Sequence, residues 1–228
     1  MDSSAIPFDW FPLILSLKVA GWATLLALVL GTGLGWLFAR YRFLGRSLLE
    51  SLLVLPMVLP PTVVGYAILV AVGRNSAVGG WLNHYFGYTL IFNWHGAVVA
   101  SAVVALPLVF KSAIAAFSGV DRDLENASTT LGQSAFSTFM RVSLPLAWPG
   151  ILAGTMLAFA RAMGEFGASL MVAGSIPGRT ETLSMAIYNA SQAGDDSRAL
   201  LLVGITCVLS VGILLLSNHF LNRTASLR

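Results

Sequence analysis

Charge is scarce in this sequence. Asp, Glu, Lys and Arg together make up 10% of its 228 residues, while 57% are hydrophobic. A soluble domain carries roughly a quarter charged residues, so a water-facing globule is excluded and the composition is that of a polytopic membrane protein. Cysteine is nearly absent. Cys207 is the single one and lies in an apolar run, which excludes a disulfide framework or a cysteine metal site and leaves it a small core residue. His84, His95 and His219 are scattered and read as interface residues. Catalytic spacings are missing as well: there is no Gly-x-x-x-x-Gly-Lys-Ser/Thr, no His-Glu-x-x-His and no nucleophile elbow. Gly31, Gly33 and Gly35 do not make a nucleotide loop, because no strand precedes them and no Lys follows. If this protein works against a gradient, its energy comes from elsewhere.

What the sequence does have is long apolar runs. Helices able to cross roughly 30 Å of hydrocarbon are expected at about 13–39, 48–72, 95–117, 149–173 and 199–221. The expected fold is all-α, one domain over 1–228 with five transmembrane helices. The first eleven residues carry Asp2 and Asp9 but no base, unlike a signal peptide. Gly31 and Gly35 form a small-xxx-small pair suited to a close helix contact. Lys18 sits near the outer end of its span, where it can snorkel. The segment 73–94 reads as a polar, aromatic loop with Trp81, Tyr85, Phe86 and Trp94 at an interface. In the loop 174–198, residues 180–192 suit a short helix. Arg40, Arg42, Arg46, Arg122, Arg141, Arg223 and Arg228 fall on one side of a five-span topology, and Arg74, Arg179 and Arg198 on the other. The richer side is cytoplasmic by the positive-inside rule, which puts the N-terminus outside and the C-terminus inside.

Three features stand out against the apolar background. Pro56, Pro60 and Pro61 fall within six residues of the second span and break its hydrogen-bond ladder. A broken helix at membrane depth is tolerated against protein or a wet cavity, so the stretch is either a hinge or pathway wall, or a static kink. In the fourth span, Arg161 and Glu165 are spaced i, i+4 with Gly164 between them. Arg161 lies about 12 residues past Pro149, roughly 18 Å along a helix, where an unpaired charge is costly. The pair is either a gate or anion guide, or an internal ion pair.

The third feature is the polar segment 119–145, which is cytoplasmic in this topology. Leu124, Ala127, Ser128 and Leu131 share one helix face, Asp121 or Asp123 can cap it, and Gly132 suits its end. A second short helix is expected after Ser134, with Phe136, Phe139 and Met140 on its apolar face. These faces either fold back on the bundle or fit a partner's groove.

The run Leu124-Glu125-Asn126-Ala127-Ser128-Thr129-Thr130-Leu131-Gly132, followed about 12 residues later by Leu144-Pro145, resembles the Glu-Ala-Ala-x-x-x-Gly loop of ABC importer permeases. Counting back from Gly132, Asn126 stands at the loop's Glu position, with Glu125 just before it, and Ser128 replaces the second Ala. Leu55-Pro56-x-Val58-Leu59-Pro60-Pro61, Gly73-Arg74, Gly119-Val120-Asp121, Ala160-Arg161-x-x-Gly164-Glu165-Phe166-Gly167 and Ile176-Pro177-Gly178 narrow the resemblance to the oxyanion branch of that family, and the five-span length is similar to its molybdate permeases.

The resemblance implies a MetI-like multi-pass permease of the bacterial inner membrane, not itself an enzyme. It imports molybdate or tungstate; the alternatives are sulfate or thiosulfate, or an ATP-independent anion transporter. Implied partners are a second copy of the chain, two cytoplasmic ATPase subunits that hold the ATP-Mg, and a periplasmic oxyanion-binding protein. Membrane lipid surrounds the chain, and neither metal, cofactor nor nucleic acid is expected on it. Asp121, Leu124, Glu125, Ala127, Leu131 and Gly132 would shape the coupling helix, with Phe136 and Phe139 packing on the ATPase. Pro56, Pro60, Pro61, Arg161, Gly164 and Glu165 are the pathway or gate candidates, and the outer loops 73–94 and 174–198 the binding-protein surface.

Overall fold

The computed structural model describes residues 9–225, with backbone alone at 214 and from 216 onward. Asp2, Arg228 and the side chains of His219 and Arg223 lie outside that description. Among the described residues all regular structure is helical. In chain order the helices are α1 (Phe11–Arg40), α2 (Arg46–Val58), α3 (Pro61–Val72), α4 (Ala77–Phe86), α5 (Trp94–Ser118), α6 (Arg122–Thr130), α7 (Ala135–Thr138), α8 (Leu144–Met163), α9 (Gly167–Ala173), α10 (Leu183–Gln192) and α11 (Asp196–Ala225).

The bundle is built around α5, which packs against α1, α8, α9, α2 and α3. Hydrocarbon does not drive apolar helices together, so close backbone approach and van der Waals packing must do so. Small residues supply that approach. A Cβ placed on Gly35 would lie 2.4 Å from the Ala113 Cβ, and one on Gly154 2.3 Å from the Ser112 Cβ. Gly35 and Gly31 therefore seat α1 against α5, as their spacing predicts. Phe110 and Phe117 are fully buried in α5. α11 is the opposite case: only 6% of its apolar window is buried within the chain, leaving it to face lipid or another subunit.

Among the described residues four helices are long and apolar enough to span a membrane, and α2 with α3 makes a fifth if that bent pair is one span. The expected single helix over 48–72 is instead two, turned through 117°. Pro60 and Pro61 cannot donate to the ladder, and α3 restarts with Val63 and Val64 N–H groups both bonded to the Pro60 carbonyl. Pro56 stays inside α2.

The fourth span also differs from expectation. It does not open at 148–150. Helix runs from Ala135 through a π-helical turn at Phe139–Ser143 into α8, so the short helix expected after Ser134 is its first turn. The π turn bonds the Leu144 N–H to the Phe139 carbonyl, and this wider register accommodates Pro145. At the other end the helix stops at Met163 and resumes at Gly167.

The segment 73–94 is not a plain loop. It holds α4, capped by the Ser76 hydroxyl accepting from the Gly79 N–H at 2.9 Å. The helix expected within 180–192 is present as α10, and the Ser16 hydroxyl accepts from its Leu183 N–H at 2.7 Å.

Candidate functional site

The segment between α5 and α8 forms a self-contained helical platform. The Asp121 carboxylate accepts the Asp123 N–H at 2.9 Å and starts α6, while Asp123 and Glu125 in its first turn suit the positive end of the helix dipole. The helix ends in a Schellman arrangement: Gln133 N–H bonds the Ser128 carbonyl and Gly132 N–H bonds the Thr129 carbonyl. Gly132 has φ +81°, which L side chains resist. The Ser128 and Thr138 hydroxyls meet at 2.9 Å and hold α6 against α7.

Glu125 fixes this platform to the bundle. Its Oε1 lies 2.6 Å from Arg40 Nη2 at the end of α1 and also accepts the Ser143 hydroxyl in the π turn. Both charged side chains are largely buried, Arg40 at 11% exposure and Glu125 at 17%. One carboxylate therefore joins the end of α1, the α6 helix and the start of the α8 span. Sequence reasoning placed Glu125 in the platform but missed Arg40 and Ser143. Arg40 looked like one of several topology-setting arginines, and no local signal tied it to a residue 85 positions away.

The apolar face is uncovered. Leu124, Leu131 and Phe136 are 49%, 81% and 70% exposed, and Ala127 and Met140 are exposed with them. Phe139 departs from the expectation that it packs beside Phe136 on a partner. It turns inward, with its ring 5.2 Å from Trp36 and 5.9 Å from Phe117. Phe136, three residues earlier, is left outside the bundle.

A second cluster lies where two helix breaks meet. Gly167 approaches Pro61 so closely that a Cβ there would be 2.9 Å from the proline Cβ, and α3 packs along α9. Gly164 ends α8. Glu165, with its side chain 1% exposed, forms an ion pair with Arg161 at 2.7 Å. Its other oxygen accepts the Ala168 N–H at 2.9 Å. Pro60, Pro61, Arg161, Gly164 and Glu165 thus gather around one discontinuity, while Pro56 sits a turn away within α2. The pairing matches the internal-ion-pair reading, and it satisfies backbone that the break leaves open. Lys111 and Glu50, 2.5 Å apart, form a third ion pair that spacing did not reveal.

Neither cluster has the composition of a catalytic or metal site, and no metal-ligating group of three occurs among the described residues. An exposed apolar platform is tied to a bundle with interrupted helices, and comparison with known proteins places that arrangement in a family. The family model of the binding-protein-dependent transport system inner membrane component matches residues 31–225. The molybdenum transport system permease protein ModB of Escherichia coli K12 is 44% identical over 210 residues, covering 92% of this chain and 90% of that protein. A Chlorella vulgaris chain named for sulfate transport is 30% identical over 207 residues, covering 91% of this chain and 77% of its own length. The MetNI methionine ABC transporter superposes with a TM-score of 0.72 at 16% identity, covering 98% of this chain and 99% of that one, which shows a shared fold. The chain belongs to the inner membrane permeases of binding-protein-dependent ABC importers.

Proposed function

We propose that the chain is the permease subunit of a molybdate importer, working as a homodimer with two cytoplasmic ATPase subunits and a periplasmic oxyanion-binding protein. The observation that carries the substrate is its near-full-length identity with a molybdenum permease, well above that with the sulfate-named relative. In this reading the N-terminus is periplasmic, the C-terminus is cytoplasmic, and ATP-Mg is bound by the partner ATPases. The exposed Leu124, Ala127, Leu131 and Phe136 seat in a groove of the ATPase, as an amphipathic helix does in any receiving groove. ATP-driven closure of the ATPase pair moves the two platforms together. The Arg40–Glu125–Ser143 junction passes that motion to α1 and α8. Because ATP favours one bundle state over the other, the bundle opens outward and takes the anion from its binding protein. The α2/α3 and α8/α9 breaks lie along the pathway wall, with Arg161 and Glu165 holding the second of them.

The test is uptake of labelled molybdate into proteoliposomes holding the chain with its ATPase and binding protein. The expected outcome is uptake that requires ATP and survives excess sulfate. Uptake abolished by sulfate would move the chain to the sulfate branch. Uptake without ATP would overturn the ABC mechanism in favour of a secondary anion transporter.

A further inference from the structure

Two groups of cations contrast. Arg40, Lys111 and Arg161 are each neutralised by a carboxylate. Lys18, Arg74 and Arg179 have no such partner among the described residues, and all three line cavities at the end of the bundle where α1 and α5 begin and α3 and α9 finish. One cavity, of about 450 Å³, includes Lys18, Asn93, Trp94 and Arg179 in its lining. The other, of about 960 Å³, includes Arg74, Asn75, Ser76, Thr89 and Arg179. Arg179 and Phe92 belong to both, so the two cavities adjoin. Among the described residues neither lining contains an Asp or a Glu. The nearest carboxylates are engaged otherwise: Asp9 accepts the Phe11 N–H at 2.9 Å, and buried Glu181 accepts from the Asn189 amide at 2.6 Å.

The wall between the cavities is a built feature. Phe92 adopts φ +56°, a conformation costly for a bulky residue. Its N–H bonds the Val172 carbonyl and its ring lies against Gly174, where a Cβ would come within 3.1 Å. Lys18 Nζ rests 3.8 Å from the centre of the Trp94 ring, a contact that holds the ammonium in place while leaving its charge uncancelled. A concave, low-dielectric surface lined by one sign of charge focuses its field and concentrates the opposite ion. Guanidinium groups match the paired oxygens of a tetrahedral oxyanion.

We infer that the adjoining cavities lined by Lys18, Arg74 and Arg179 form a receiving vestibule for a tetrahedral oxyanion dianion, between the binding protein and the pathway. This rests on the importer reading above. Arg74 and Arg179 lie in the two outer segments that also offer the binding-protein surface, while the exposed Trp81, Tyr85 and Phe86 of α4 stand outside both linings.

The experiment uses the complete reconstituted importer with labelled molybdate and compares Arg74→Gln/Arg179→Gln with wild type. Molybdate imported per ATP hydrolysed is expected to fall about tenfold, within the range for loss of a focusing field. The half-saturating concentration of loaded binding protein, read from ATPase stimulation, is measured alongside, and the loss of uptake per ATP is expected to exceed any rise in it, because a charge that acts on the anion does more than hold the binding protein. Arg74→Lys/Arg179→Lys keeps both charges and is expected to recover most of the uptake, which separates lost charge from misfolding. Unchanged uptake per ATP in the Gln variant would overturn the vestibule. So would a rise in half-saturation that accounts for the whole loss, since the arginines would then be docking residues. A wild-type importer that fails to move molybdate would sink the substrate reading instead. The same variants measured with labelled sulfate then decide the vestibule, which is built for the shared dianion chemistry.

Discussion

Two Arg–Glu pairs occur among the described residues, and they differ in what they join. Arg161 and Glu165 are four residues apart, and their pairing is local. It closes a helix break, gives a buried carboxylate its countercharge and caps the next helix. Arg40 and Glu125 are distant in sequence and belong to different elements. Their pairing, with Ser143 on the same oxygen, is what connects an otherwise exposed platform to the membrane bundle. The first pair maintains a shape; the second, in the importer mechanism proposed above, relays a displacement. The lesson is that an ion pair's role follows from what lies on either side of it, since two pairs of similar chemistry here differ in everything else.

The strongest way to break this comparison is at the local pair. Glu165→Ala removes a buried carboxylate, leaves Arg161 without its partner and the Ala168 N–H unsatisfied. A cost of about 3 kcal/mol is expected, at the low end for a broken buried pair because Arg161 is partly exposed. Thermal unfolding of the purified chain in detergent checks it; a melting temperature equal to wild type would show that the break does not need the pair.

Phe139→Ala comes next, at about 2 kcal/mol for a half-buried aromatic, whereas Phe136→Ala should leave the chain's own stability within about 0.5 kcal/mol and weaken assembly with the ATPase. Equal destabilisation by both would mean that Phe139 is not packed inward as its contacts with Trp36 and Phe117 indicate.

The relay pair is read in function, where its effect is the most specific. Glu125→Gln keeps the shape and a hydrogen bond to Ser143 but loses the charge. Binding-protein-stimulated ATP hydrolysis is expected to fall about tenfold, equivalent to about 1.4 kcal/mol, with the complex still assembled. A fall in assembly that matches the fall in activity would make Glu125 a docking residue and not a relay.

Much of this architecture is written in local chemistry. Proline lacks a donor wherever it sits, so the break at Pro60–Pro61 follows from composition, although the 117° turn does not. The α6 helix, its Asp121 cap and its Gly132 stop are readable because capping acts over two or three residues. Arg161 and Glu165 are readable as a pair because four residues of chain keep them within reach, although the helix that this spacing assumes stops at Met163 and Glu165 lies in the break. The α4 helix was hidden inside an apparently irregular segment, since its Ser76 cap is followed by two glycines that weaken any helical pattern. The entry into α8 was misplaced because Pro149 looked like a start, when a π turn upstream had already absorbed Pro145.

Apolar length, proline positions, caps and close glycine spacings were determined by the residues alone, because each depends on neighbours within about two turns. Which arginines are neutralised, which phenylalanine turns inward and which cations share a cavity were decided by tertiary structure. Arg40 reaches Glu125, and Arg74 joins Arg179 at one cavity, only after α5 has drawn the other helices around it. The relative register of packed helices is set by interlocking side chains along their whole length, and no short stretch of sequence contains that sum.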